Sequence, residues 1–142
     1  MKYLLLLTSL LVGSLVMSQE KLPVKFLANE KTKMWVGQEW DQQYTPLTTK
    51  LLIEFDGTEL VMTYVDGKEF TRQQVKSYKY NKVEERGQLK FETYSLAINN
   101  NGLTEYYIIE YFHSFGSTIP CIKIPYTDKA GEVKCYFHYQ KI

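Results

Sequence analysis

Two histidines, His113 and His138, and two cysteines, Cys121 and Cys135, are the side chains best suited to nucleophilic or metal chemistry. A nucleophilic triad needs a hydroxyl or thiol beside a base that a third group holds in place. Ser114 and Ser117 stand near His113, but no Gly-x-Ser-x-Gly elbow occurs. His113 is therefore expected in a loop, in contact with water. His138 shares a strand face with Lys134, Tyr136 and Gln140 and is expected on the solvent side or at a rim. A metal site would have to draw on Cys121, Cys135, His113 and His138. Residues three apart on a strand point to opposite faces, so Cys135 and His138 are poorly placed to grip one ion, and no metal is expected.

Glycoside hydrolysis needs two carboxylates facing one substrate. Glu54, Glu69, Glu92, Glu105 and Glu110 are the candidates. Glu110 stands out because it lies inside Tyr106-Tyr107-Ile108-Ile109-Glu110-Tyr111-Phe112, the most apolar stretch after the N-terminus. Pointing inward, it would be a buried acid with a raised pKa and a polar anchor for a ligand; pointing outward, it would pair with a Lys or Arg on a neighbouring strand. Phosphate-cradling glycine loops, zinc spacings and calcium loops are absent, and no cofactor is implied.

The elements that must position these residues are strands. Leu51, Ile53 and Phe55 alternate on one face, Asp56 to Glu59 turns, and Leu60, Met62 and Tyr64 continue the face. Phe55 is thus expected opposite Leu60, Ile53 opposite Met62 and Leu51 opposite Tyr64. Asp66-Gly67 reads as a type I′ turn, and Asn99-Asn100-Asn101-Gly102 as another turn. Leu89 and Phe91 lie on one parity and Tyr94, Leu96 and Ile98 on the other, which suggests a β-bulge near Glu92-Thr93. The stretch from Tyr106 to Phe112 reads as a central strand buried on both faces. Pro120 and Pro125 demote Ile119 to Tyr126 toward an edge strand. Val133 to Lys141 closes the chain, with Cys135 alternating with Val133, Phe137 and Tyr139. Eight or nine strands at this spacing imply an all-β fold: an antiparallel up-and-down meander, either a closed barrel or a curved sheet folded on itself.

The N-terminus reads as an export signal. Met1-Lys2 precedes a short apolar run to Val16, and Val16-Met17-Ser18 offers a cleavage site before Gln19. The run is shorter than the roughly 20 residues that span a bilayer. The chain thus divides into a signal peptide (1–18), an arm (19–32) that is either extended or one short helix, and a single β domain (33–142). The expected location is periplasmic or secreted, with no transmembrane segment after cleavage. Two cysteines in an exported chain favour a disulfide between Cys121 and Cys135 across the C-terminal hairpin over free thiols.

Composition narrows the function. The chain has 142 residues with 17 Lys+Arg against 16 Asp+Glu, so no global field draws it to nucleic acid. Hydrophobic residues at 44% exclude a disordered chain. Twelve tyrosines are more than one core of this size holds without hydroxyl partners. Some are expected to line a cavity or a binding face.

The segment Trp35-Val36-Gly37-Gln38-Glu39-Trp40, followed by a meander, resembles the first strand of lipocalin-like (calycin) chains, whose Gly and Trp mark that strand and whose Trp closes the barrel bottom. The Asp-Gly hairpins, signal style and Tyr-rich closing strands resemble small exported β-sheet proteins of Bacteroidota-type bacteria. The first resemblance implies a small hydrophobic ligand in a barrel mouth. The leading expectation is a non-catalytic exported barrel that binds a small apolar or amphipathic ligand through Trp40, Tyr94, Tyr107 and Tyr111, with Glu110 as the polar anchor. The alternative is an interaction module that offers a Tyr-rich sheet face or the Ile119 to Tyr126 edge to a protein or glycan. A paired-carboxylate hydrolase is the third reading.

Overall fold

The computed structural model describes residues 22–37, 43–85, 88–114 and 116–141. Trp40 and residues 1–18, the stretch read as an export signal, lie outside them. Eight strands follow one another: β1 (Val24–Trp35), β2 (Thr45–Phe55), β3 (Glu59–Tyr64), β4 (Glu69–Glu85), β5 (Gln88–Asn100), β6 (Leu103–Ser114), β7 (Ser117–Thr127) and β8 (Val133–Gln140). Each pairs antiparallel with its sequence neighbours, and β1 pairs with β8 from Glu30↔Gln140 to Trp35↔Cys135, which closes an up-and-down barrel. Among the described residues no helix is long and apolar enough to cross a membrane.

The β2–β3 hairpin has the expected register, Leu51↔Tyr64, Ile53↔Met62 and Phe55↔Leu60. Its inner residues Leu51, Ile53, Phe55, Leu60 and Met62 are all buried. Each such side chain contributes about 1.5–3 kcal/mol by leaving water. Asp56 fixes the turn, because its Oδ1 accepts bonds from the backbone N–H of Thr58 and Glu59, both at 2.9 Å.

Several local expectations need correction. The stretch read as an arm supplies the first strand from Val24 onward. The Asp66-Gly67 turn is not type I′, because only Gly67 has positive φ, at 95°. Gly67 N–H donates to Tyr64 O and Tyr64 N–H to Lys68 O, a tight turn followed by a glycine bulge. The β5 irregularity lies at Lys90, which is extra between Phe91↔Val83 and Leu89↔Glu84, not at Glu92-Thr93. Strand β6 is buried on one face only: Tyr107 and Ile109 point inward, while Tyr106 is 56% exposed on the outer wall. Strand β7 is no edge, since it pairs with both β6 and β8. Closure gives every strand two neighbours, and Pro120, which lacks a donor, still accepts through its carbonyl from Lys141 N–H at 3.1 Å.

The disulfide expectation fails: both cysteines are free. Cys121 pairs with Gln140, and Cys135 with Tyr126. About 17 Å of strand separates these positions, far beyond the roughly 7 Å Cα limit for a bridge. They also lie on opposite faces, since Cys121 alternates with core Ile122 while Cys135 shares its face with Tyr139.

Candidate functional site

The middle of the barrel is filled. Tyr94 and Phe55 are fully buried, with ring centroids 6.5 Å apart; Tyr78 lies 5.4 Å from Phe55, and Tyr80 lies 4.9 Å from Tyr94. Leu51, Ile53, Leu60, Met62, Leu96, Ile98, Ile109 and Ile122 complete one continuous cluster. Room for a small molecule therefore lies at the two ends.

The lower end carries the β2–β3, β4–β5 and β6–β7 turns. Here Glu92, Tyr94, Tyr111 and His113 line a cavity of about 210 Å³. Glu92 is 2% exposed, on the inner face of β5 in line with Tyr94, Leu96 and Ile98. One carboxylate oxygen accepts from the Tyr80 hydroxyl at 2.7 Å; the other lies 3.1 Å from His113 Nε2. His113 Nδ1 lies 3.0 Å from Thr118 Oγ1. A carboxylate only accepts, so Nε2–H donates to Glu92, and in the neutral ring Nδ1 accepts from Thr118. Burial, and then the neighbouring Tyr111 and Glu92 charges, push the Tyr94 hydroxyl up to about 12; burial and Glu92 do the same to Tyr111, also to about 12. Hydroxyl, imidazole and carboxylate form a chain with the connectivity of a nucleophile relay. Its bonds use both carboxylate oxygens and both ring nitrogens, which is what a polar plug in an apolar barrel end requires.

The upper end carries the β1–β2, β3–β4, β5–β6 and β7–β8 connections. A cavity of about 310 Å³ opens there, lined by Lys31, Thr32, Lys33, Gln43, Thr45, Phe137 and Tyr139. Two rungs build it. Thr45, Lys31 and Tyr139 align across β2, β1 and β8, and Lys33 pairs with Phe137. From its wall, Tyr139 packs edge to face on Phe70 and Phe70 on Tyr64, at 5.7 Å per step. The Lys33 ammonium sits 4.2 Å from the Trp35 ring centroid and 5.6 Å from that of Phe137.

The named ligand residues are scattered by this geometry. Tyr94 and Tyr111 meet at the lower end. Tyr107, 7% exposed, belongs to the core, one rung from Ile98 and opposite Leu96. Glu110 points outward and pairs with Lys123 at 3.3 Å, so it anchors nothing inside. The outer wall there also holds His138, which is 3% exposed and not at a solvent rim. Tyr44 covers it, with its hydroxyl 3.4 Å from His138 Nδ1. Burial, reinforced by Lys123, lowers the His138 pKa to about 4. Burial drives the Tyr44 hydroxyl above its ordinary value, and drives the Cys121 thiol up to about 12.

Paired-carboxylate hydrolysis does not fit these positions. Of the five candidates, Glu92 and Glu105 point inward, at opposite ends. Glu105 accepts from Thr127 at 2.7 Å and from Asn100 at 3.3 Å. Six residues along β6 separate Glu105 from Tyr111, the partner of Glu92, which is about 20 Å. Glycosidase carboxylates stand roughly 5–10 Å apart. Glu54 and Glu69 form ion pairs with Lys25 and Arg72 outside the barrel. Among the described residues no three His, Cys, Asp or Glu side chains are grouped to hold a metal ion.

Neither family models, nor curated proteins, nor solved structures match the chain.

Proposed function

We propose that this protein is an exported, non-catalytic barrel that holds a small amphipathic ligand in its upper mouth, in the manner of lipocalin-like carriers. The observation that carries the reading is the open cavity of about 310 Å³ with two aromatic rings and two lysines on its walls. Ligand pockets occupy about 300–1,000 Å³ and combine an apolar lining with a few polar groups. The upper mouth meets that range; the lower cavity, at about 210 Å³, falls short of it. A groove of about 410 Å³ outside β1–β3 is larger, but the Lys25–Glu54 ion pair and the acids Asp56 and Glu59 line it.

The tyrosines favour this reading over a Tyr-rich docking face. Tyr64, Tyr78, Tyr80, Tyr94, Tyr107, Tyr111 and Tyr139 all belong to the core or pack against it. Tyr106 and Tyr126, each 56% exposed, stand on different strands and opposite faces of the sheet. Native mass spectrometry of the chain, incubated with a medium-chain alcohol or carboxylic acid, tests the proposal. One bound molecule per chain is expected, lost in Phe137→Arg. Binding of none of the probes would overturn it.

A further inference from the structure

We infer that the ligand of the upper mouth is an anion: a carboxylate or sulfonate on an apolar body, with its head held between Lys31 and Lys33 and its body on Phe137 and Tyr139. The inference rests on the mouth being a ligand site at all. Lys31 and Lys33 lie two apart on β1, so both project to the same face, about 7 Å apart along the strand. They face the cavity together, and none of the described residues that line it is acidic. Among the described residues Lys25, Arg72, His113, Lys123 and Lys134 are ion-paired to acids, whereas neither Lys31 nor Lys33 is. Among the described residues the inward acid of that end is Glu105, which already accepts from Thr127 and Asn100.

Lys33 is held by rings in place of a counter-charge, over Trp35 and Phe137. Ring faces attract a cation but leave its N–H donors free for an anion. Across the sheet each lysine faces an aromatic partner, Lys31↔Tyr139 and Lys33↔Phe137. Cation and apolar surface therefore alternate at the spacing of a head group and the start of its chain. A cationic ligand would meet two like charges here, and a neutral one would leave both ammonium groups without an ionic partner among the described residues.

Isothermal titration of the purified chain with decanoate and with decanol separates the outcomes. Decanoate is expected to bind about tenfold more tightly than decanol, as one charge-assisted head contact would give. Its affinity is expected to fall with added salt. The charge reversal Lys31→Glu/Lys33→Glu should weaken decanoate by about tenfold or more and spare decanol, while Lys31→Arg/Lys33→Arg keeps decanoate binding. Circular dichroism of each variant confirms that it is folded. Equal affinity for the two probes would overturn the anion inference and leave the ligand site standing. Loss of decanoate in a folded Arg/Arg variant would likewise overturn the role of charge. Binding of neither probe would overturn the ligand site itself.

Discussion

Truncating Glu92 to alanine removes the acceptor at the centre of the lower end. The Tyr80 hydroxyl then loses a 2.7 Å bond in a part-buried setting, at a cost of about 1–3 kcal/mol. His113, whose side chain is 28% exposed, recovers part of its 3.1 Å bond from water and costs about 1 kcal/mol. One buried methylene adds about 0.8 kcal/mol. The total loss is about 4 kcal/mol, which lowers the urea midpoint by roughly 2 M for a slope of about 2 kcal/mol/M. Glu92→Gln should cost far less. Its amide oxygen still accepts from Tyr80, and its NH₂ can donate to Nε2 once the ring proton moves to Nδ1 and the Thr118 hydroxyl turns to accept. Equilibrium urea unfolding followed by tryptophan fluorescence reads both variants. An alanine variant as stable as the parent, or more stable, would refute the plug. It would mark Glu92 as a strained group kept for chemistry at a cost in stability.

Three further outcomes follow from the same geometry. Burial holds the His138 ring neutral to about pH 4, against the ordinary 6.5, so the unfolded chain takes up that proton first as pH falls. The stability so gained is whole above pH 6.5 and is lost between there and pH 4; the stability gap between parent and His138→Gln should narrow by about 3 kcal/mol across that window, and a constant gap would contradict the assignment. Both cysteines should resist Ellman's reagent in the native protein and titrate as two thiols in urea; an intact mass two protons lighter, with no thiol released, would show a disulfide. Phe55→Ala should cost about 3–5 kcal/mol, because its ring packs on both Tyr78 and Tyr94; a loss below 1 kcal/mol would mean that the middle of the barrel is not packed as described.

The fold was legible where alternation was clean. The rungs Leu51↔Tyr64, Ile53↔Met62 and Phe55↔Leu60 follow from period-two patterning alone, and a run of such hairpins implies a meander. The lower cluster was hidden by a phase error of two residues. A bulge placed at Glu92-Thr93 detaches Glu92 from Tyr94, Leu96 and Ile98, whereas the bulge at Lys90 keeps Glu92 on their inward face. Glu110 stayed open between an inward anchor and an outward ion pair, and the outward pair with Lys123 is the one found. Its apolar neighbours on β6 face both ways, and only pairing with Lys123 across β7 shows which face it takes. Lys31 fell in the stretch read as an arm (19–32), and Lys33 just beyond it, because β1 changes partners midway. Val24 to Ala28 pair with β2, and Glu30 to Trp35 with β8, a closure between distant parts of the chain that local patterning does not contain. The register of the β7–β8 hairpin separates Cys121 from Cys135, since Cys121 faces Gln140 and Cys135 faces Tyr126.

The central claim is a ligand seated in the upper mouth above a filled core. Amide and methyl NMR shifts of the chain during titration with decanoate test it most directly. Saturable shifts are expected at Lys31, Lys33, Thr45, Phe137 and Tyr139, with Ile53, Leu96 and Tyr94 unmoved. Shifts centred on Tyr94 and Phe55, or none at saturating decanoate, would contradict it.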